Sequence, residues 1–364
     1  MCLHDERYGD RHSRDPAGAG GCVAMSSLRR TALAAGALAV GAAGWEVQRR
    51  RDLRAITEDP EWDELNRRLD GHVHPLRAHD GTLLHAEIHG PDGAPTIVLV
   101  HGWLEACRLW HHQIRDLSRD FRVVAYDQRG HGRSAPSAHG EYSEGLLASD
   151  LGAVIDALVP SAQRCVLAGH SMGAMAIIAW AGRNPAVASE RVAGVALINT
   201  GIHQLVERLA ILGDWFGSRA TTETVIAGLL QAPYNPPSRL DPISLRLVRR
   251  IAFAPSAHLA QVAFAHQMFL TTPAPVRAGF AKMFTTLDLS AAVLHVTPRA
   301  VVIAGDRDRL TPPWHAEQLA TALPNLVRHT VLTNTGHMSP LEAPDAITAQ
   351  LRALASEGRP SAVS

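Results

Sequence analysis

From about residue 75, short runs of β-branched and apolar residues alternate with longer stretches in which apolar positions return every three or four residues. TLLHAEIHG (82–90) opens the series after the turn signal HDG. TIVLVHG (96–102), FRVVAYD (121–127), RCVLAGH (164–170), VAGVALINT (192–200), AVVIAGD (300–306) and LVRHTVLTN (326–334) follow. Several of these runs are apolar almost throughout, as expected of parallel strands buried on both faces. Stretches between them, such as SEGLLASDLGAVIDALV (143–159), have helical spacing. Strand and helix in alternation predict an α/β fold with a mostly parallel central sheet flanked by helices.

The alternation breaks once. Between the runs ending at Thr200 and starting at Ala300 lie LVERLAILGDWF (205–216), ETVIAGLLQ (223–231) and AHLAQVAFAHQMFLTT (257–272), all with broad apolar helical faces. The pattern predicts a helical cap over residues 204–295, inserted into a core made of residues 70–203 and 296–357. Such an insertion would cover the carboxyl edge of the sheet, where open α/β sheets bind ligands.

The amino-terminal part follows neither pattern. Residues 1–24 are charged and aperiodic, which predicts a disordered tail or a start codon placed too early. Residues 25–54 have the layout of a signal or anchor, with a short basic region, an uncharged segment at residues 31–45 and a second arginine cluster. At 1.5 Å per residue, about fifteen residues rise about 22 Å, short of a hydrocarbon core of about 30 Å. Arg29 and Arg30 resemble a twin-arginine signal, whereas Arg49, Arg50, Arg51 and Arg54 oppose translocation. Membrane association or export is the expectation, with membrane contact through residues 31–45. A cytoplasmic protein with a helical tail is the alternative.

Composition narrows the chemistry. The 364 residues balance 35 basic against 35 acidic side chains, so no overall field draws the chain to nucleic acid. Cys2, Cys22, Cys107 and Cys165 form no CxxC pair, and no disulfide framework is expected. The pairs His72/His74 and His111/His112 lack a carboxylate or cysteine at ligand spacing, so no metal site is expected there.

The candidate chemistry centres on GHSMG (169–173), which follows a predicted strand and opens a predicted helix. A serine on so sharp a turn needs neighbours without side chains, and the helix behind it offers N–H groups to a developing anion. Serine also needs a base and a group to orient that base. Asp306 and Asp308 leave one later strand and His337 leaves the last. Nucleophile, acid and histidine thus occur in one order at the carboxyl ends of three strands, with either aspartate able to serve.

Through HGW (101–103), DQRGHGRS (127–134), GHSMG (169–173), GDRDRLTP (305–312) and GHMSPLEAP (336–344), the chain resembles the α/β-hydrolases over about residues 80–355. It is most similar to the esterase, lipase and cofactor-free haloperoxidase branch. The resemblance implies a catalytic triad of Ser171, Asp308 and His337. It also implies an oxyanion hole from the backbone N–H groups of Trp103 and Met172. His101, Gly102 and His170 fall around the expected substrate pocket, with His101 packing beneath the site and His170 a neighbour of the nucleophile rather than a base. DQRGHGRS reads as a structural loop.

The resulting expectation is a serine hydrolase that cleaves a small-molecule apolar ester or thioester, without metal or organic cofactor. A C–C bond hydrolase or a perhydrolase on the same triad is the alternative. A non-catalytic binding protein of this fold is the alternative from another class, and it predicts decay of a triad residue, none of which has decayed. Epoxide hydrolases and haloalkane dehalogenases of this family use an aspartate where this chain has Ser171. Oligomeric state is not encoded in these patterns.

Overall fold

A computed structural model describes residues 41–206 and 241–357. The expected cap helices at 205–216 and 223–231 fall almost wholly outside the described residues, as do residues 25–40 of the signal-like segment. The chain divides into a unit of Met1–Leu53 and a unit of Arg54–Ser364. In the first, residues 41–53 are helical. Among the described residues no helix is long and apolar enough to cross a membrane.

The second unit is built on an eight-stranded sheet. Its strands are β1 (His72–Val73), β4 (Ala86–His89), β5 (Thr96–Val100), β6 (Arg122–Tyr126), β7 (Cys165–His170), β8 (Val192–Ile198), β9 (Arg299–Gly305) and β10 (Leu326–Leu332). Their spatial order is β1-β4-β6-β5-β7-β8-β9-β10. The pairs β1–β4 and β4–β6 are antiparallel and all others are parallel. β2 (Leu76–Arg77) and β3 (Leu83–Leu84) form a separate small ribbon. The run 82–90 is therefore two strands rather than one. At His85 the backbone N–H turns to the Ser134 hydroxyl at 2.9 Å, and the chain passes from the ribbon to the main sheet.

The five residues of β5, TIVLV, and the six of β7, CVLAGH, are buried throughout, because helices cover both faces of the sheet. Helices Glu144–Leu158 and Met172–Arg183 pack on one face. Helices His111–Leu117 and Pro344–Glu357 pack on the other. Ser143 caps helix Glu144–Leu158 through the Leu146 N–H at 3.2 Å.

Parallel register sets the carboxyl ends level. Val100 lies beside Gly169, His170 beside Ile198, Ile198 beside Ile303 and Gly305 beside Leu332. The segments that leave these ends, at 101–105, 171, 199, 306–311 and 333–338, are thereby brought to one rim. The described part of the insertion between β8 and β9 contains helices Pro242–Ala252, Leu259–Thr271 and Ala274–Phe284. The first begins on an Asp-Pro start, with Asp241 accepting from the N–H groups of Ile243 and Ser244.

Candidate active site

Ser171 joins β7 to helix Met172–Arg183 with φ 51° and ψ −117°, a backbone region that a residue with a Cβ occupies only when its surroundings impose it. Two glycines make room for it here. A Cβ on Gly169 would lie 2.4 Å from the Ala174 nitrogen, and one on Gly173 would lie 2.2 Å from the Val100 carbonyl oxygen. Strand and helix can close to this distance only without those side chains. The Ser171 N–H donates to the Ile198 carbonyl at 2.9 Å, and the Thr200 hydroxyl donates to the Ser171 carbonyl at 3.0 Å, which pins the turn to β8. The Met172 N–H, at the first helical position, has no acceptor within its own helix.

His337 and Asp308 meet from the ends of the last two strands. The His337 Nδ1 lies 2.8 Å from the Asp308 Oδ2. Asp308 is saturated with donors. Its Oδ2 also accepts from Asn199 Nδ2 and the Thr311 hydroxyl at 2.8 Å each, and its Oδ1 accepts from the N–H groups of Leu310 and Thr311 at 2.9 Å each. Burial opposes its charge. The His337 ring and these donors outweigh burial and hold the carboxyl below the usual aspartate range. Asp306 points elsewhere, accepting from the Thr335 N–H at 3.1 Å. Of the two aspartates left open by the strand pattern, Asp308 is the one that touches the histidine.

Ser171 and His337 both line a cavity of about 300 Å³. Most of its other walls are apolar, from Trp103, Leu104 and Met175 in the core to Leu247, Ile251, Phe269 and Phe284 in the insertion. The Trp103 ring meets Phe284 edge to face at 5.5 Å between centroids. Trp103 follows β5 and lines the cavity together with Ser171, and Met172 is the next residue after the serine.

Three expected pocket residues require correction. His101, Gly102 and His170 are buried and none lines the cavity. The His101 Nδ1 donates to the Gly102 carbonyl at 2.7 Å and its Nε2 accepts from the Gln128 N–H at 2.9 Å. Burial, with His131 and His170 nearby, pushes its basicity well down and keeps the ring neutral. His101 follows the last residue of β5 and His170 ends β7, and the His170 ring is enclosed between Glu105 at 3.0 Å and the His337 carbonyl at 2.8 Å.

DQRGHGRS forms a polar knot away from the cavity. Fully buried Arg129 holds Asp150 through two bonds of 2.7 and 2.6 Å and Asp80 through one of 2.9 Å. Asp127 accepts from the N–H groups of Cys107 and Arg133. His85, Cys107 and Asp127 lie close enough to share an ion, a grouping invisible in the chain order. Arg133, however, lies 3.2 Å from His85 Nε2 and brings a positive charge to that cluster. Asp59, Glu61 and His258 form a second such group, in which His258 Nδ1 already lies 3.1 Å from Asp59.

Comparison with known proteins agrees with this architecture. A family model described as alpha/beta hydrolase fold matches residues 95–344. The chain belongs to that family. Epoxide hydrolase 4 of Mus musculus is 38% identical over 113 residues, 31% of this chain and 30% of that protein, so the match spans under a third of that relative's length. RutD of Variovorax paradoxus, designated a carbamate hydrolase, is 29% identical over 262 residues, 70% of this chain and 89% of that protein. The crystal structure of the enol-lactonase from Burkholderia xenovorans superposes with a TM-score of 0.58 at 25% identity, over 78% of this chain and all of that one. The relatives are hydrolases that act on different bonds, so the site itself must discriminate among them.

Proposed function

We propose that the protein is a serine hydrolase that cleaves apolar carboxylic esters or thioesters through an acyl-enzyme on Ser171. The observation that carries this reading is one cavity holding Ser171 on its strained turn together with His337, whose far ring nitrogen is braced on Asp308. His337 takes the Ser171 proton as the hydroxyl attacks the ester carbonyl, while the Trp103 and Met172 N–H groups receive the oxyanion. The protonated His337 then gives its proton to the leaving alcohol or thiol. Water, deprotonated by the same ring, cleaves the acyl-serine and restores the enzyme. Asp308 holds the ring orientation and stabilises its cation throughout.

The substrate class follows from the walls. Among the described residues the lining apart from Glu105, Ser171, Thr311 and His337 is apolar, and a volume of about 300 Å³ is at the small end for ligand sites. It suits an acyl chain of short to medium length. The similarity to Epoxide hydrolase 4 pulls toward epoxide opening. Ser171 stands where that chemistry needs a carboxylate, and no tyrosine lines the cavity among the described residues.

The test is hydrolysis of p-nitrophenyl esters from acetate to palmitate by the full chain, beside Ser171→Ala. The reading predicts an optimum at short or medium chains and loss of turnover by several orders of magnitude in the variant. Equal rates for the two proteins, or equal rates on anionic and apolar esters, would overturn it.

A further inference from the structure

We infer that Glu105 and His170 form a buried carboxylate–imidazolium pair that positions the Trp103 loop and the His337 loop on either side of Ser171. The inference rests on the serine-hydrolase reading and assigns work to two buried side chains that the acyl-transfer steps leave unused. Glu105 is 2% exposed and His170 fully buried. The His170 Nδ1 lies 3.0 Å from Glu105 Oε2, and its Nε2 lies 2.8 Å from the backbone carbonyl of His337. A carbonyl oxygen can only accept, so Nε2 carries a proton. In the proposed pair Glu105 is ionised and only accepts, so Nδ1 carries one as well. The two bonds together describe an imidazolium.

The same Glu105 oxygen accepts the Gly102 N–H. A Cβ on Gly102 would lie 2.7 Å from Glu105 Oε2, so the glycine of HGW makes room for this carboxylate. One continuous chain of contacts therefore runs from Gly102, beside the expected oxyanion donor Trp103, through Glu105 and His170 to the backbone of His337. His170 is also the residue before Ser171. Three segments that sequence places far apart are fastened at one point.

Electrostatics favours the pair over either partner alone. Glu105 lines the Ser171 cavity, where a lone carboxylate would repel a developing oxyanion. The His170 and His337 ring centroids are 4.9 Å apart, where a lone cation would oppose the positive charge that His337 acquires. Paired, the two charges cancel at both neighbours. Burial lowers the basicity of His170, and the attraction of Glu105 overcomes it and raises the ring above its ordinary value.

The experiment uses the full chain, wild type and Glu105→Gln, with 15N-labelled histidine and a p-nitrophenyl ester of medium length. Wild type should show both ring nitrogens of His170 protonated near neutral pH, and Glu105→Gln should lose one of those protons. Its kcat should fall by about tenfold or more with KM within about twofold, because alignment is lost rather than binding. A singly protonated His170 in wild type, or Glu105→Gln with unchanged kcat, would overturn the inference. If the variant does not fold, the wild-type spectrum alone decides whether the pair exists. Failure of wild type to exceed Ser171→Ala on esters would sink the proposed function, while the spectrum would still judge the pair.

Discussion

Two buried polar clusters lie beyond the ends of β6 and β9, on opposite sides of β7 in the sheet order, and they behave oppositely. Around Arg129, Asp150 and Asp80 absorb its donors in short contacts, and that side chain is sealed from solvent. Around Asp308, the carboxylate is equally saturated, but the groups it braces open onto an apolar cavity. The first cluster is closed and fixes the loop after β6. The second is closed at one end only, and its open end is where a reacting carbonyl could sit. Saturation is thus a mark of structure in both, and chemistry is expected where saturation stops.

The largest expected effect tests that open end. Asp308→Asn should keep the fold, because Asn199 and Thr311 still find partners, yet lower kcat on a p-nitrophenyl ester by roughly 10⁴ through the wrong imidazole tautomer. A loss below about tenfold would erase the distinction between the clusters. Asp150→Ala probes the closed one. Leaving buried Arg129 with Asp80 as its one carboxylate partner should cost about 3 kcal/mol in urea denaturation, with kcat per folded molecule little changed. A fall in kcat without loss of stability would show that the knot reaches the cavity.

The smallest effect concerns pH. Glu342 accepts from the N–H groups of Ala254 and Gly336, so it links the His337 loop to the chain just after helix Pro242–Ala252. Burial raises its carboxyl from an ordinary 4.5 to about 7. Because the folded value is the higher, its contribution to stability is full below about 4.5 and is lost as pH rises through about 7. Wild type should lose at most roughly 3 kcal/mol from this group across that window. Glu342→Gln should flatten the change, as read by denaturation at a series of pH values. An unaltered slope in the variant would place the titrating group elsewhere.

Much of this was legible in the chain. Runs such as TIVLV and CVLAGH declared their strands because burial on both faces demands unbroken apolar residues, and GHSMG declared its turn because only glycines permit it. β1 and β2 escaped because two-residue strands have no period to detect. The helix from Pro242 was missed even though its Asp-Pro start is a recognisable signal. Ser171 and His337 stood out by motif and order. Asp308 needed the family resemblance, since a strand pattern weighs Asp306 equally and only the turn to Thr335 separates them.

Glu105 and Asn199 were not legible at all, whereas Thr311 lies only three residues from the aspartate it meets. Glu105 meets His170 across 65 residues and Asn199 meets Asp308 across 109, so their roles exist only after the strand ends are aligned. The burial of His170 was hidden for the same reason, whereas His101 was already expected to pack beneath the site. His170 precedes Ser171 in the chain and ends β7, yet its ring is enclosed between Glu105 and the His337 carbonyl.

The account depends most on Ser171 being the activated nucleophile. The direct measurement is reaction of the folded protein with an alkyl fluorophosphonate, in which the serine oxygen displaces fluoride, followed by peptide mass analysis. A single adduct on the peptide containing Ser171, absent from Ser171→Ala and strongly slowed in Asp308→Asn, is the predicted result. An unmodified Ser171 in folded wild type, or an adduct that persists in Ser171→Ala, would contradict it.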